Sequence, residues 1–147
     1  MPYGTLNVWS NLIVGGGWFQ TGDWNDDWGV IQYNTDIPAV GNIFLQVDTG
    51  YVSQGYFARV QGYPATDLMH LYGGTLIDKP NVRTIHIENS NASINLAGMS
   101  GSPLILWDHP GLWTTKSLGI LRQVAHGKYF VCTAFDSGLF DYLLQYR

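Results

Sequence analysis

Apolar and polar residues alternate in short runs along this chain, and glycine, proline and asparagine cut the runs apart. Residues 6–14 read as a strand closed by Gly15, Gly16 and Gly17. A polar turn at 21–27 leads to a second strand at 28–33, ended by 34–38. Further strands are predicted at 56–63, running into Pro64, and at 68–77, interrupted by Gly73 and Gly74. Residues 82–87 alternate cleanly, with Val82, Thr84 and His86 on one face and Arg83, Ile85 and Ile87 on the other. Residues 103–107 form a short apolar strand. Residues 118–124 and 129–135 read as a hairpin around His126, Gly127 and Lys128.

The pattern changes at the C-terminus. Asp136 or Ser137 can cap a helix in which Phe140, Leu143 and Leu144 recur at i, i+3 and i+4. Many short strands and one terminal helix predict an all-β barrel or sandwich. No internal repeat interrupts the chain, and 42–54 is the natural hinge between two halves.

Composition agrees with this class. The 147 residues carry only 12% charged side chains, against about 25% on average. They include 18 Gly, six Trp and nine Tyr, as tight turns and pleated strands favour. Apolar residues at 46% exclude a disordered chain. The net charge is −4 and the seven Lys and Arg are scattered, which argues against a nucleic-acid partner and against an anionic membrane surface. No apolar run is long enough to span a bilayer, and residues 1–4 lack the start of a signal peptide. The single cysteine, Cys132, cannot form an intrachain disulfide and reads as a buried thiol in a strand. No His, Asp, Glu or Cys set has metal-ligand spacing, so no metal or cofactor is expected.

The chemistry concentrates in Gly98-Met99-Ser100-Gly101-Ser102-Pro103. A glycine-flanked turn exposes a serine hydroxyl, lets a backbone come close to a substrate, and leaves the N–H groups of Gly98 and Ser100 free for an oxyanion. By itself the same hexapeptide is equally an ordinary turn between strands.

That hexapeptide resembles the Gly-x-Ser-Gly-[Gly/Ser]-Pro nucleophile motif of trypsin-like (chymotrypsin-fold) serine proteases. Its Ser-Pro ending is most similar to the glutamyl-endopeptidase branch. Three further landmarks occur in family order. Asp27-Trp28-Gly29-Val30-Ile31-Gln32-Tyr33 is similar to the strand that carries the triad aspartate. Val60-Gln61-Gly62-Tyr63-Pro64 resembles the strand opening the second barrel, and Leu118-Gly119-Ile120 the strand lining the specificity pocket. The resemblance covers roughly residues 20–147. It implies a chymotrypsin-like double β-barrel with the first barrel incomplete (1–54), the second complete (55–147) and a C-terminal helix. It also implies Ser100 as nucleophile, Asp27 as the orienting carboxylate, Gly98 and Ser100 as oxyanion donors, a polypeptide substrate and a secreted protein.

One part of the pattern is absent. The family order is His, Asp, Ser, yet no histidine precedes Asp27; His70, His86, His109 and His126 all follow it. The chain is therefore expected to begin partway through the first barrel, with the base supplied by a missing N-terminal segment or a second chain. Without that base, hydrolysis by this chain alone should be slow. The resemblance puts Ile94, Asn95, Leu121 and Arg122 at the substrate pocket. Leu121 stands where glutamate-specific relatives carry a histidine, and neither Ile94 nor Asn95 is acidic, so an uncharged residue before the scissile bond is expected. Arg122 has no counterpart in the pattern. Two alternatives stay open: a non-catalytic relative that binds without cutting, and an unrelated aromatic-rich carbohydrate-binding β-protein whose tryptophans stack on sugars.

Overall fold

In the computed structural model, residues 9–34, 43–64, 68–89, 97–109, 112–125 and 129–146 are described. Strand β1 (Trp9–Val14) is followed by helix α1 (Gly16–Thr21), a 3-10 turn (Trp24–Asp26) and β2 (Gly29–Tyr33). Then come β3 (Phe44–Leu45), β4 (Phe57–Gly62), β5 (His70–Asn81), β6 (Thr84–Glu88), β7 (Pro103–His109), β8 (Leu112–Ala125) and β9 (Tyr129–Ala134). Helix α2 (Ser137–Leu143) and a 3-10 turn (Leu144–Tyr146) end the described chain.

Strands β8, β7, β4, β5, β6 and β9 pair in that order, and β9 pairs back onto β8. The result is a closed six-stranded antiparallel barrel, the complete barrel expected for the C-terminal part. Closure removes the exposed edges that an open sheet would leave. Alternating side chains fill the interior: Val60, Leu76, Ile85, Ile87, Leu104, Leu106, Leu118, Phe130 and Cys132 are all buried. The short β3 pairs parallel with β8, Phe44 opposite Lys116 and Leu45 opposite Ser117. Strands β1 and β2 pair only with each other among the described residues, so the first barrel is incomplete.

Several expectations hold in detail. The predicted hairpin is the β8–β9 pair, although its turn at 126–128 lies outside the described residues. Asp136 caps α2 by accepting a 2.7 Å bond from the N–H of Leu139. His86 is half-buried on β6, and the Cys132 thiol is sealed in the core.

Three differences have physical causes. First, β5 is not interrupted at Gly73 and Gly74. These glycines make room: a Cβ on Gly73 would stand 2.6 Å from the Phe57 ring, and one on Gly74 would overlap the carbonyl of Glu88. Second, Gly16 and Gly17 open a helix instead of merely closing β1. Its free N-terminal donor at Gly17 bonds the Asp26 carboxylate at 2.9 Å, nine residues away, and Gly22 ends it at φ 68°. Third, Val82 and Arg83 lie in the turn before β6, not on the strand. On the N-terminal side of the expected 54/55 division, Val52 is part of the core of the closed barrel and Tyr51 packs against it.

Candidate active site

The Ser100 turn is held from behind. Met99 is fully buried, so the residue before the serine plugs the turn into the barrel interior. Gly98 and Gly101 take φ of 88° and 85°, a conformation that costs a side-chain-bearing residue about 1–2 kcal/mol. Both N–H and C=O of Leu121 lace the turn to β8: Gly101 N–H donates to Leu121 at 2.8 Å, and Leu121 N–H donates to Ser102 at 2.7 Å. The Ser100 side chain is exposed, and its hydroxyl donates to the carbonyl of Arg122 at 3.3 Å. Among the described residues no hydrogen bond engages the amides of Gly98 or Ser100. Ser100 thus presents a hydroxyl beside two available donors.

Asp27 follows the 3-10 turn Trp24–Asp26 and is half-buried. That turn begins with Asp23, whose carboxylate accepts from Asn25 N–H at 2.9 Å. Helix α1 holds it through the Gly17–Asp26 bond, and the barrel side adds more. Thr133 on β9 donates to the Asp27 carbonyl at 3.1 Å, and Thr84 on β6 reaches Asn25 at 3.4 Å. Arg83 pairs with both Asp26 and Asp136, which ties the turn to the cap of α2. The hydrogen bond to Asp136 raises the Arg83 guanidinium above its ordinary value; burial opposes this, and the charges of Asp136, Asp26 and Asp23 reinforce it.

Arg122 joins the two halves of the site. Its carbonyl receives the Ser100 hydroxyl, while its guanidinium donates to the Trp24 carbonyl and lies 5.6 Å from the centre of the Trp24 ring. Burial lowers its pKa, the negative charge of Asp27 pulling the other way. Ser100 and the Asp27 turn therefore meet the same residue of β8 from opposite ends, one through its main chain and one through its side chain.

No described imidazole bonds to Ser100. His70 is 2.9 Å from the Tyr72 hydroxyl, and His86 lies 2.6 Å from Asp78 and stacks on Tyr129 with ring centres 4.3 Å apart. The His109 side chain, His126, Ile94 and Asn95 lie outside what is described. Leu121 turns its side chain into the core, so only its backbone faces the site.

A cleft of about 480 Å³ opens beside Ser100, walled by Ile43, Gln61, Tyr63 and Met69. Gln61 and Tyr63 carried a sequence signal, through their place in the Val60–Pro64 segment. Ile43 and Met69 are brought in from separate elements and nothing local marks them. A larger cavity of about 570 Å³ lies between β2, β3 and α2, and its described lining is mainly apolar, with Phe44, Phe135 and Phe140 among it.

No family model and no curated protein matches the sequence. A solved structure titled "Structure of Glu endopeptidase in complex with MPD" matches with a TM-score of 0.73 at 16% identity, over 93% of this chain and 62% of that one. The fold is chymotrypsin-like. The chymotrypsin-like match includes nearly all of this chain, yet the chain spans less than two thirds of the length of that endopeptidase. The closed barrel and C-terminal helix of the chymotrypsin-like fold are therefore in place. At this identity the likeness speaks for fold, and the site must be argued from its own residues.

Proposed function

We propose that this chain is the serine- and aspartate-bearing part of a serine-type endopeptidase acting on polypeptides. The Oγ of Ser100 bonds to the scissile carbonyl carbon while a base takes the hydroxyl proton. The C–N bond then breaks, the proton passes to the leaving amine, and an acyl ester remains on Ser100 until water hydrolyses it. The amides of Gly98 and Ser100 donate to the carbonyl oxygen as it gains charge. Asp27 orients the base and balances its positive charge. The base is a histidine supplied by a preceding segment or a second chain, and residues 1–147 alone hydrolyse slowly.

The observation that carries this reading is the Ser100 turn: an exposed hydroxyl between two left-handed glycines, with two unengaged amides, laced to β8 beside the Asp27 turn. The likeness to a Glu endopeptidase brings glutamate to mind as the preferred residue. The core position of Leu121 and the uncharged side chains among the described walls of the 480 Å³ cleft favour an uncharged residue instead. Secretion follows from the same likeness and belongs to the proposal; none of the described helices is long and apolar enough to cross a membrane.

The test is labelling by a fluorophosphonate serine probe. In a protein extended on its N-terminal side by a histidine-bearing segment, the probe should modify Ser100, and Ser100→Ala should abolish the signal. An extended, folded protein whose Ser100 stays unlabelled defeats the enzyme reading. Arg122 favours a second reading, a non-catalytic relative, because its guanidinium is bound to the Trp24 carbonyl of the Asp27 turn and feels the charge of Asp27. That reading expects peptide binding that survives Ser100→Ala, without turnover in the extended protein.

A further inference from the structure

The pairing of β8 with β9 sets Arg122 apart. Leu121 lies opposite Cys132 and Gln123 opposite Val131, so Arg122 is an extra residue between two consecutive partners on β9. A β-bulge of this kind leaves its odd residue out of the ladder and re-aims the side chain. Here both ends of the freed residue are used. Its carbonyl accepts from the Ser100 hydroxyl at 3.3 Å. Its guanidinium donates to the Trp24 carbonyl and lies 5.6 Å from the centre of the Trp24 ring. Trp24 is braced in turn by Trp18, with ring centres 4.9 Å apart, and it opens the 3-10 turn that leads directly into Asp27.

Stability does not account for an arginine at this place. Burial lowers its pKa, so the fold holds the charge less well than water does. Its Nε is buried and has no hydrogen-bond partner among the described residues. An apolar side chain of similar length would bear neither cost.

We infer that Arg122 is a positioning residue for the proposed reaction, a strut on a β-bulge that fixes the Asp27 turn relative to the Ser100 hydroxyl. The inference rests on the endopeptidase reading and adds to it a residue that the family pattern does not supply. The strut touches neither substrate nor the transferred proton. It acts by holding Trp24 with its side chain and Ser100 with its carbonyl, so that one residue sets the spacing of two turns. Displacing one reacting group by about 1 Å can cost about 100-fold in rate.

Arg122→Met keeps the length of the side chain and removes its donors. In residues 1–147 this variant should speed amide exchange about tenfold at Asp26 and Trp28, whose N–H groups close the turn, and leave exchange on β7 unchanged. Its urea midpoint should not fall. In the histidine-bearing extended protein, the fluorophosphonate at saturation should modify Ser100 of Arg122→Met about 100-fold more slowly, with the affinity for the probe unchanged. In Arg122→Ala, millimolar guanidinium should restore much of the lost rate, and sodium chloride at equal ionic strength should not; an arginine needed only for folding would show no such rescue. The inference is overturned if the turn amides of Arg122→Met exchange at the wild-type rate, or if Ser100 of that variant is labelled as fast as in wild type. Faster labelling overturns it too, because the guanidinium would then stand where the base belongs. So does a joint fall of labelling rate and urea midpoint that guanidinium does not reverse. An extended wild-type protein that stays unlabelled removes the endopeptidase reading and this inference together, whereas a labelled wild type with an unaffected Arg122→Met removes this inference alone.

Discussion

Asp136 holds two structures with its two oxygens, and substitution can separate them. One oxygen accepts from Leu139 N–H at 2.7 Å and caps α2; the other accepts from Arg83 Nε at 2.7 Å. Loss of a cap costs about 1 kcal/mol. The pair with Arg83 is neither fully exposed nor buried, with side chains 30% and 17% accessible, and falls between a surface ion pair and a sheltered charged hydrogen bond, at about 1 kcal/mol. Asp136→Ala should therefore cost about 2 kcal/mol at pH 7. Asp136→Asn keeps a capping oxygen and should cost about 1 kcal/mol. In an Arg83→Leu background, Asp136→Ala should fall to the cap alone, about 1 kcal/mol. Urea unfolding followed by tryptophan fluorescence measures all of these.

The pH dependence supplies an independent check. Burial would raise the Asp136 carboxyl, but the Leu139 N–H bond and the bond and charge of Arg83 outweigh it and hold the pKa below the ordinary value. A depressed folded pKa means stabilisation that is complete above the ordinary carboxylate value of about 3.9 and lost as pH falls through the lower folded value. The deficit of Asp136→Asn should thus shrink below about pH 4. Equal costs for Ala and Asn at pH 7, or an Asn deficit unchanged at pH 2.5 while the protein remains folded, would refute the division of labour between the two oxygens.

Other outcomes follow from single contacts. Burial pushes the Cys132 thiol up to about 12, with Arg122 opposing weakly, so the folded protein should not react with Ellman's reagent at pH 8 and the urea-unfolded protein should react at once. Gly101→Ala meets no atom within 4 Å and tests φ alone, at about 1–2 kcal/mol, whereas Gly119→Ala drives a methyl into the Thr133 carbonyl between β8 and β9 and should cost more. Equal urea midpoints for the two glycine variants would contradict this. Phe130→Ala empties the centre of the barrel and should cost about 3–5 kcal/mol, read as a lower urea midpoint with unchanged slope.

Local pattern determined much of this protein. Alternation located most of the strands, the Asp136 cap and the Phe140, Leu143, Leu144 spacing located α2, and the hexapeptide around Ser100 located the exposed turn, because each depends on residues a few positions apart. What lay beyond the sequence depends on groups far apart in the chain. Gly73 and Gly74 looked like a break until Phe57 and Glu88 crowded them. The Asp27 turn looked like a plain acidic loop until Arg83, Thr84, Arg122 and Thr133 gripped it from three strands and a turn. The apolar face of β1–β2 read as ordinary strand alternation, and only the fold revealed that this face looks outward. Periodicity says which residues share a face; which way that face points is set by what packs against the other side.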